Sequence, residues 1–87
     1  MFQLEIITPE QVFYKARISS LIAPQMEGYF GVLASHAPLI ARSTGGKIIA
    51  REEGRPEKKF QIGPGIIEVH KNRVVVLTHE AHFLNAS

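Results

Sequence analysis

Short apolar segments, each stopped by glycine, proline or a charged turn, run the length of the chain. Residues 2–8 are rich in Phe, Leu and Ile and stop at Thr8-Pro9-Glu10. Pro9 lacks a backbone donor and biases Thr8 to extended geometry, so a strand and then a turn are predicted. Residues 12–16 and 18–23 read as two more strands, the second ending at Pro24, with a bulge near Ala16-Arg17. Gln25-Met26-Glu27-Gly28 is turn material. Residues 29–33 form a strand interrupted by Gly31, residues 34–38 a loop, and residues 39–43 a strand again.

Gly45-Gly46 marks the next turn. Residues 47–51 and 58–62 flank Glu52-Glu53-Gly54-Arg55-Pro56, the clearest hairpin signal in the chain. In its second arm Phe60 and Ile62 share an apolar face, Lys59 and Gln61 the other, and Lys58 falls at the sheet margin. Gly63-Pro64-Gly65 turns the chain, by glycine's unusual backbone angles. Residues 66–70 and 73–78 then pair through Lys71-Asn72. Val74, Val75, Val76 and Leu77 are apolar on both faces, as expected of a central strand. Residues 79–84 supply one last short strand, and only residues 80–85 could otherwise sustain a helix, of under two turns. The pattern predicts an all-β sandwich of about eight to ten short, mostly antiparallel strands.

Length permits one domain, taken as residues 1–87. A hydrophobic fraction of 45% is too rich for disorder. Cysteine is absent, which removes disulfides, thiolate metal sites and thiol nucleophiles. Aspartate is absent too, so all eight acids are Glu. A net charge of +2 is short of a nucleic-acid footprint, although the pI is about 9.2. No apolar run approaches the ~20 residues that span a bilayer. Met1-Phe2-Gln3-Leu4-Glu5 lacks the basic start of a signal peptide.

Catalytic signatures are weak. Ser35-His36 is adjacent in sequence, but neighbouring residues usually point apart, and no Gly-x-Ser-x-Gly occurs. His79-Glu80-Ala81-His82 offers a His pair without a third ligand nearby, and a strand would set the two on opposite faces. Gly63-Pro64-Gly65 precedes neither a Gly-Lys-Ser/Thr nor a helix, so it is no phosphate cradle. Lys47, Arg51, Arg55, Lys58 and Lys59 gather at one hairpin, diluted by Glu52, Glu53 and Glu57 into a solvated edge. Asn85-Ala86-Ser87 fits the glycosylation triplet, which matters only after secretion. No cofactor, metal or nucleic-acid partner is expected.

The specific segment is residues 27–39, Glu-Gly-Tyr-Phe-Gly-Val-Leu-Ala-Ser-His-Ala-Pro-Leu. It resembles the epsilon subunit of the rotary ATP synthases, called delta in mitochondria. There the pattern runs Glu-Gly-x-Phe/Leu-Gly-Ile/Val-x-Pro-Gly-His-Ala-Pro-Leu. Leu4-Glu5-Ile6-Ile7-Thr8-Pro9-Glu10, Gly63-Pro64-Gly65-Ile66-Ile67-Glu68-Val69 and Arg73-Val74-Val75-Val76-Leu77-Thr78 are similar to further pieces in the same order. Three departures stand out. Ala34-Ser35 replaces Pro-Gly, which predicts another path for that loop. Pro64 replaces a Gly. His79-Glu80-Ala81-His82 replaces Ala-Asp-x-Ala. Familiar members also continue into a two-helix hairpin, which is not expected within these 87 residues.

The resemblance implies a non-catalytic rotor part at the foot of the central stalk, on the cytoplasmic face of a bacterial inner membrane. One surface would meet the gamma subunit and one end the polar loops of the c-ring, coupling ion translocation to ATP synthesis. The partner interface is expected at Glu27, Gly28, Tyr29, Gly31, Ser35, His36 and Pro38. Gly28 and Gly31 would permit close backbone approach, while Glu27, Tyr29 and His36 hydrogen-bond to polar loops. Inhibition of ATP hydrolysis and ATP binding are not expected. Even fully helical, the residues after Thr78 would reach only ~14 Å. The alternative is an unrelated β-sandwich adaptor that binds a protein at an exposed edge strand.

Overall fold

The computed structural model describes residues 1–84. The glycosylation triplet and the end of the 80–85 segment therefore lie outside the described residues. Ten strands occur among them: β1 (Phe2–Ile7), β2 (Val12–Ile18), β3 (Ser20–Gln25), β4 (Gly28–Leu33), β5 (Leu39–Ser43), β6 (Gly46–Arg51), β7 (Lys58–Ile62), β8 (Gly65–Val69), β9 (Arg73–Thr78) and β10 (Ala81–Phe83). Sheet A has the order β2-β1-β9-β8-β5 and sheet B the order β10-β7-β6-β3-β4. All pairs are antiparallel except β1 with β9. The expected all-β sandwich is what forms.

Alternation fixes the interior. Phe2, Leu4 and Ile6 of β1, Ile67 of β8, and Val74 and Val76 of β9 point inward from sheet A. Leu21, Val32, Ile48, Phe60 and Ile62 meet them from sheet B. Each large side chain buried this way contributes about 1.5–3 kcal/mol. Rings close one flank of the core: Tyr14 and Phe60 lie 4.7 Å apart by centroid, and Phe13 and Phe83 5.1 Å. Above them the Tyr14 hydroxyl donates to Glu52, and Lys58 Nζ sits 2.9 Å from the same carboxylate. Burial, and then the bond to Glu52, push the Tyr14 phenol well above its ordinary value. The bonds from Tyr14 and Lys58 hold Glu52 below its own.

Local expectations shift in three places. The irregularity of the β1–β2 pair falls between Ile6 and Ile7, not at Ala16-Arg17. It lets Phe13 turn towards the aromatic flank. Pro24 lies inside β3 rather than ending it, because the β6 pairing of β3 stops at Ile22 and no ladder bond is asked of its nitrogen. Gly31 does not interrupt β4. The expected last strand forms, over Ala81–Phe83, and pairs with β7.

The Gly63-Pro64-Gly65 turn also has a different cause from the one expected. Neither glycine has a positive φ. Instead a Cβ on Gly65 would lie 1.9 Å from the Leu77 carbonyl oxygen. Gly65 is a close-approach glycine between β8 and β9.

Candidate partner-binding surfaces

β4 is the edge strand of sheet B, and it carries the 27–38 segment. The segment is not one patch. The β3–β4 hairpin turn stands at one end of the strand and the loop of residues 34–38 at the other. Six residues at ~3.3 Å each separate them by roughly 17–20 Å.

At the turn end, Gln25 pairs with Gly28, leaving Met26 and Glu27 as a two-residue turn with Gly28 at φ 125°. Met26 N–H donates to Arg42 O at 3.1 Å, which ties the turn to β5. Glu27 and Gly28 are exposed. Tyr29 lies on the outer face with 59% of its surface open. Its hydroxyl accepts from Lys47 N–H at 3.2 Å. Gly46, at φ 144°, is what lets that ring in, since a Cβ there would be 2.9 Å from the Tyr29 hydroxyl oxygen. Gly31 shares the outer face with Tyr29 and pairs with Ile22.

At the loop end, Ser35 takes the left-handed conformation, φ 66°. A glycine would hold that conformation without the ~1–2 kcal/mol penalty of an L side chain. Here the missing glycine does not abolish the glycine-type backbone; Ser35 adopts it. The Ser35 N–H donates to Asn72 Oδ1 at 2.7 Å, across the gap to the β8–β9 turn. His36 is half-buried, and its Nδ1 lies 2.7 Å from the Ala37 carbonyl of its own loop. Pro38 is exposed and borders a shallow cleft with Leu39, Ile40, Glu68, Val69 and His70.

A third surface was not foreseen. On the outer face of sheet A the register aligns Arg42, Ile66, Leu77, Ile7 and Val12 in one row across all five strands. Val12 is 53% exposed, Leu77 48% and Ile66 45%. Ile40, next along β5, is 72% exposed. Ile7, Ile66 and Leu77 of this row, together with Pro9 and Pro64, border an apolar cleft of about 460 Å³. The sequence signal was present, since Ile6-Ile7, Ile66-Ile67 and Val74 to Leu77 are apolar at consecutive positions. β9 is central, as expected, but its second face is open to solvent.

The adjoining row, Ile40, Glu68, Val75, Glu5 and Lys15, is mostly charged. Glu5 is buried beneath Arg73, whose Nε donates to it at 3.0 Å, with Lys15 Nζ at 3.8 Å. The Arg73 guanidinium, chiefly by hydrogen bonding, holds the Glu5 carboxyl below its ordinary range.

The remaining candidates do not converge. His82 Nε2 is 3.2 Å from Glu80 Oε1, and among the described residues no three metal-ligating side chains gather. At the basic hairpin, Arg51 pairs with Glu57, and Lys58 and Arg55 with Glu52. Among the described residues no helix is long and apolar enough to cross a membrane.

A family model described as the beta-sandwich domain of the ATP synthase delta/epsilon chain matches residues 1–83. The ATP synthase epsilon chain of Chlorobaculum tepidum is 43% identical over 79 residues, which cover 91% of this chain and 90% of that protein. The epsilon chain of Moorella thermoacetica is 41% identical over 78 residues, but these cover only 58% of it. A chain in the Euglena gracilis mitochondrial ATP synthase superimposes with a TM-score of 0.86 at 22% identity, covering 92% of this chain and 51% of that one. At that identity the likeness concerns the fold.

Proposed function

This chain belongs to the ATP synthase delta/epsilon family, through its β-sandwich domain, and on that premise we propose that it works as a rotor joint. Its relatives are non-catalytic epsilon chains of the complex. In this reading the sandwich links the gamma subunit to the c-ring, at the cytoplasmic face of a bacterial inner membrane, and passes torque between them. Close packing between the two sheets resists deformation, which a torque-bearing joint needs.

The observation that carries the reading is the distribution of surfaces. Exposed apolar side chains gathered in one row, with charged residues beside them, mark an interaction site. We assign the row Ile7, Val12, Ile66 and Leu77, continued by Ile40 and Pro38, to the gamma subunit. The Ser35–His36 loop meets the extension of that row at Pro38, beside Ile40, and joins the same contact. Tyr29 lies on the outer face of sheet B, on the opposite side of the sandwich from the row on sheet A, with Glu27 close by in the turn. They are assigned to the polar loops of the c-ring.

The test is co-purification of gamma and c-ring with the tagged chain. Leu77→Glu should lose gamma by at least tenfold, and Tyr29→Asp should lose the c-ring while keeping gamma. Both variants should unfold on heating within a few degrees of the parent chain. Retention of both partners by both variants would refute the assignment.

A further inference from the structure

We propose that Asn72 is the positioning residue of the contact loop at residues 34–38, acting through the Ser35 backbone. The proposal rests on the reading of that loop as part of the gamma contact.

Asn72 is held firmly enough to position something else. Lys71 and Asn72 have φ of 51° and 59°, the two left-handed centres of a type I′ hairpin turn. His70 and Arg73 close that turn with reciprocal backbone bonds of 2.9 and 3.1 Å. The Asn72 carbonyl accepts from Gln3 N–H at 3.0 Å, which ties the turn to β1. The backbone of Asn72 is thus fixed by three strands of sheet A. Its side chain then reaches 37 positions back along the chain to accept from Ser35 N–H at 2.7 Å.

The loop needs such a tie. It is the link by which the chain leaves sheet B at β4 and enters sheet A at β5. Inside it, His36 N–H donates to Leu33 O at a long 3.3 Å, and the His36 ring bonds only to its neighbour's carbonyl. Ser35 is also in a conformation that a side chain disfavours. An acceptor placed against its N–H selects that conformation. Residue chemistry narrows who can supply it. The turn position demands a residue tolerant of positive φ, which means Gly, Asn or Asp. Only Asn and Asp also offer a side-chain oxygen at that reach.

This separates the turn role from the positioning role. Asn72→Gly keeps the turn and removes the acceptor. Asn72→Asp keeps both. His36→Glu tests the contact without touching the tie. The experiment uses the full 87-residue chain with three readouts: amide exchange at Ser35 by nuclear magnetic resonance, heat unfolding, and affinity for purified gamma subunit. Asn72→Gly should speed Ser35 exchange about tenfold, the loss of one hydrogen bond, with an unchanged unfolding temperature. Its gamma affinity should fall about threefold to tenfold. Asn72→Asp should match the parent chain in all three. Unchanged Ser35 exchange in Asn72→Gly would overturn the tie itself. Faster exchange with unchanged gamma affinity, while His36→Glu weakens binding, would overturn the positioning role alone. If His36→Glu also leaves the affinity unchanged, the contact reading falls and takes the positioning role with it, whatever the exchange data give.

Discussion

The two ends of β4 carry one continuous sequence motif, yet they are built by different physics. The turn end is held by close fit as well as by the bonds of Met26 to Arg42 and of Lys47 to Tyr29. Tyr29 lies where Gly46 leaves room for it, and in sheet A Gly65 sits where β8 and β9 nearly touch. The loop end is held by hydrogen bonds, above all Ser35 to Asn72. A shape-held end should not tolerate an added carbon. A bond-held end should tolerate one but respond to the loss of an acceptor, and at little cost to global stability. The motif is therefore two devices joined by a strand, which suits contacts with two different partners.

The most severe break should come at Gly65. Gly65→Ala places a carbon 1.9 Å from the Leu77 carbonyl oxygen and against the backbone of Thr78, with no flexible side chain to yield. Overpacking of this kind should cost about 3 kcal/mol or more, measured by urea unfolding. A cost below 1 kcal/mol would mean the strands separate easily there. Gly46→Ala comes next. Its nearest neighbour is the hydroxyl end of a movable ring, with the Pro24 ring at 3.2 Å behind it, so about 1–2 kcal/mol is expected, much of it from the unfavourable φ of 144°. The more telling readout is Tyr29 itself, which should lose its bond to Lys47 and gain mobility, while loop-end amides keep their exchange rates.

Acid should act through the carboxylates. Glu5 and Glu52 are each held below the ordinary value of 4.5, so the native state favours their charged forms. Their contribution to stability is present above that value and is lost as pH falls through the lowered one. Glu5→Gln should reduce the acid slope of stability, measured by urea titrations between about pH 5 and 2. An unaltered slope would mean that Arg73 does not favour the charged form of Glu5. The smallest effect belongs to the loop end. Ser35→Gly relieves a left-handed side chain but loosens the unfolded chain, so stability should change by less than about 1 kcal/mol, in either direction. Ser35→Val, by contrast, should be resisted, because a β-branched residue is a poor occupant of φ 66°.

Much of the sandwich was legible because glycine, proline and charged turns punctuate it at nearly every strand end. Phe60 and Ile62 were read as inward-facing and are buried. The segment of residues 27–38 was legible as a motif, but not its division, because sequence adjacency says nothing of where a strand's two ends lead. Asn72 was read only as half of a turn. Its bond to Ser35 spans 37 positions and depends on how two sheets stack. The apolar row on sheet A was hidden by an ambiguity of pattern. Consecutive apolar residues look alike whether the second face is buried within the chain or kept for a partner. The register alone aligned Ile7, Ile66 and Leu77 into a surface.

The central claim is that one chain presents two separate contacts, and side-chain oxidative footprinting tests it most directly. The chain is compared alone, with gamma, and with gamma plus c-ring. Ile66 and Leu77 should become protected with gamma alone. Met26 and Tyr29, 60% and 59% exposed at the turn end, should stay reactive until the c-ring is added. Protection of Met26 and Tyr29 by gamma alone, or continued reactivity of Ile66 and Leu77 in the full rotor, would contradict the account.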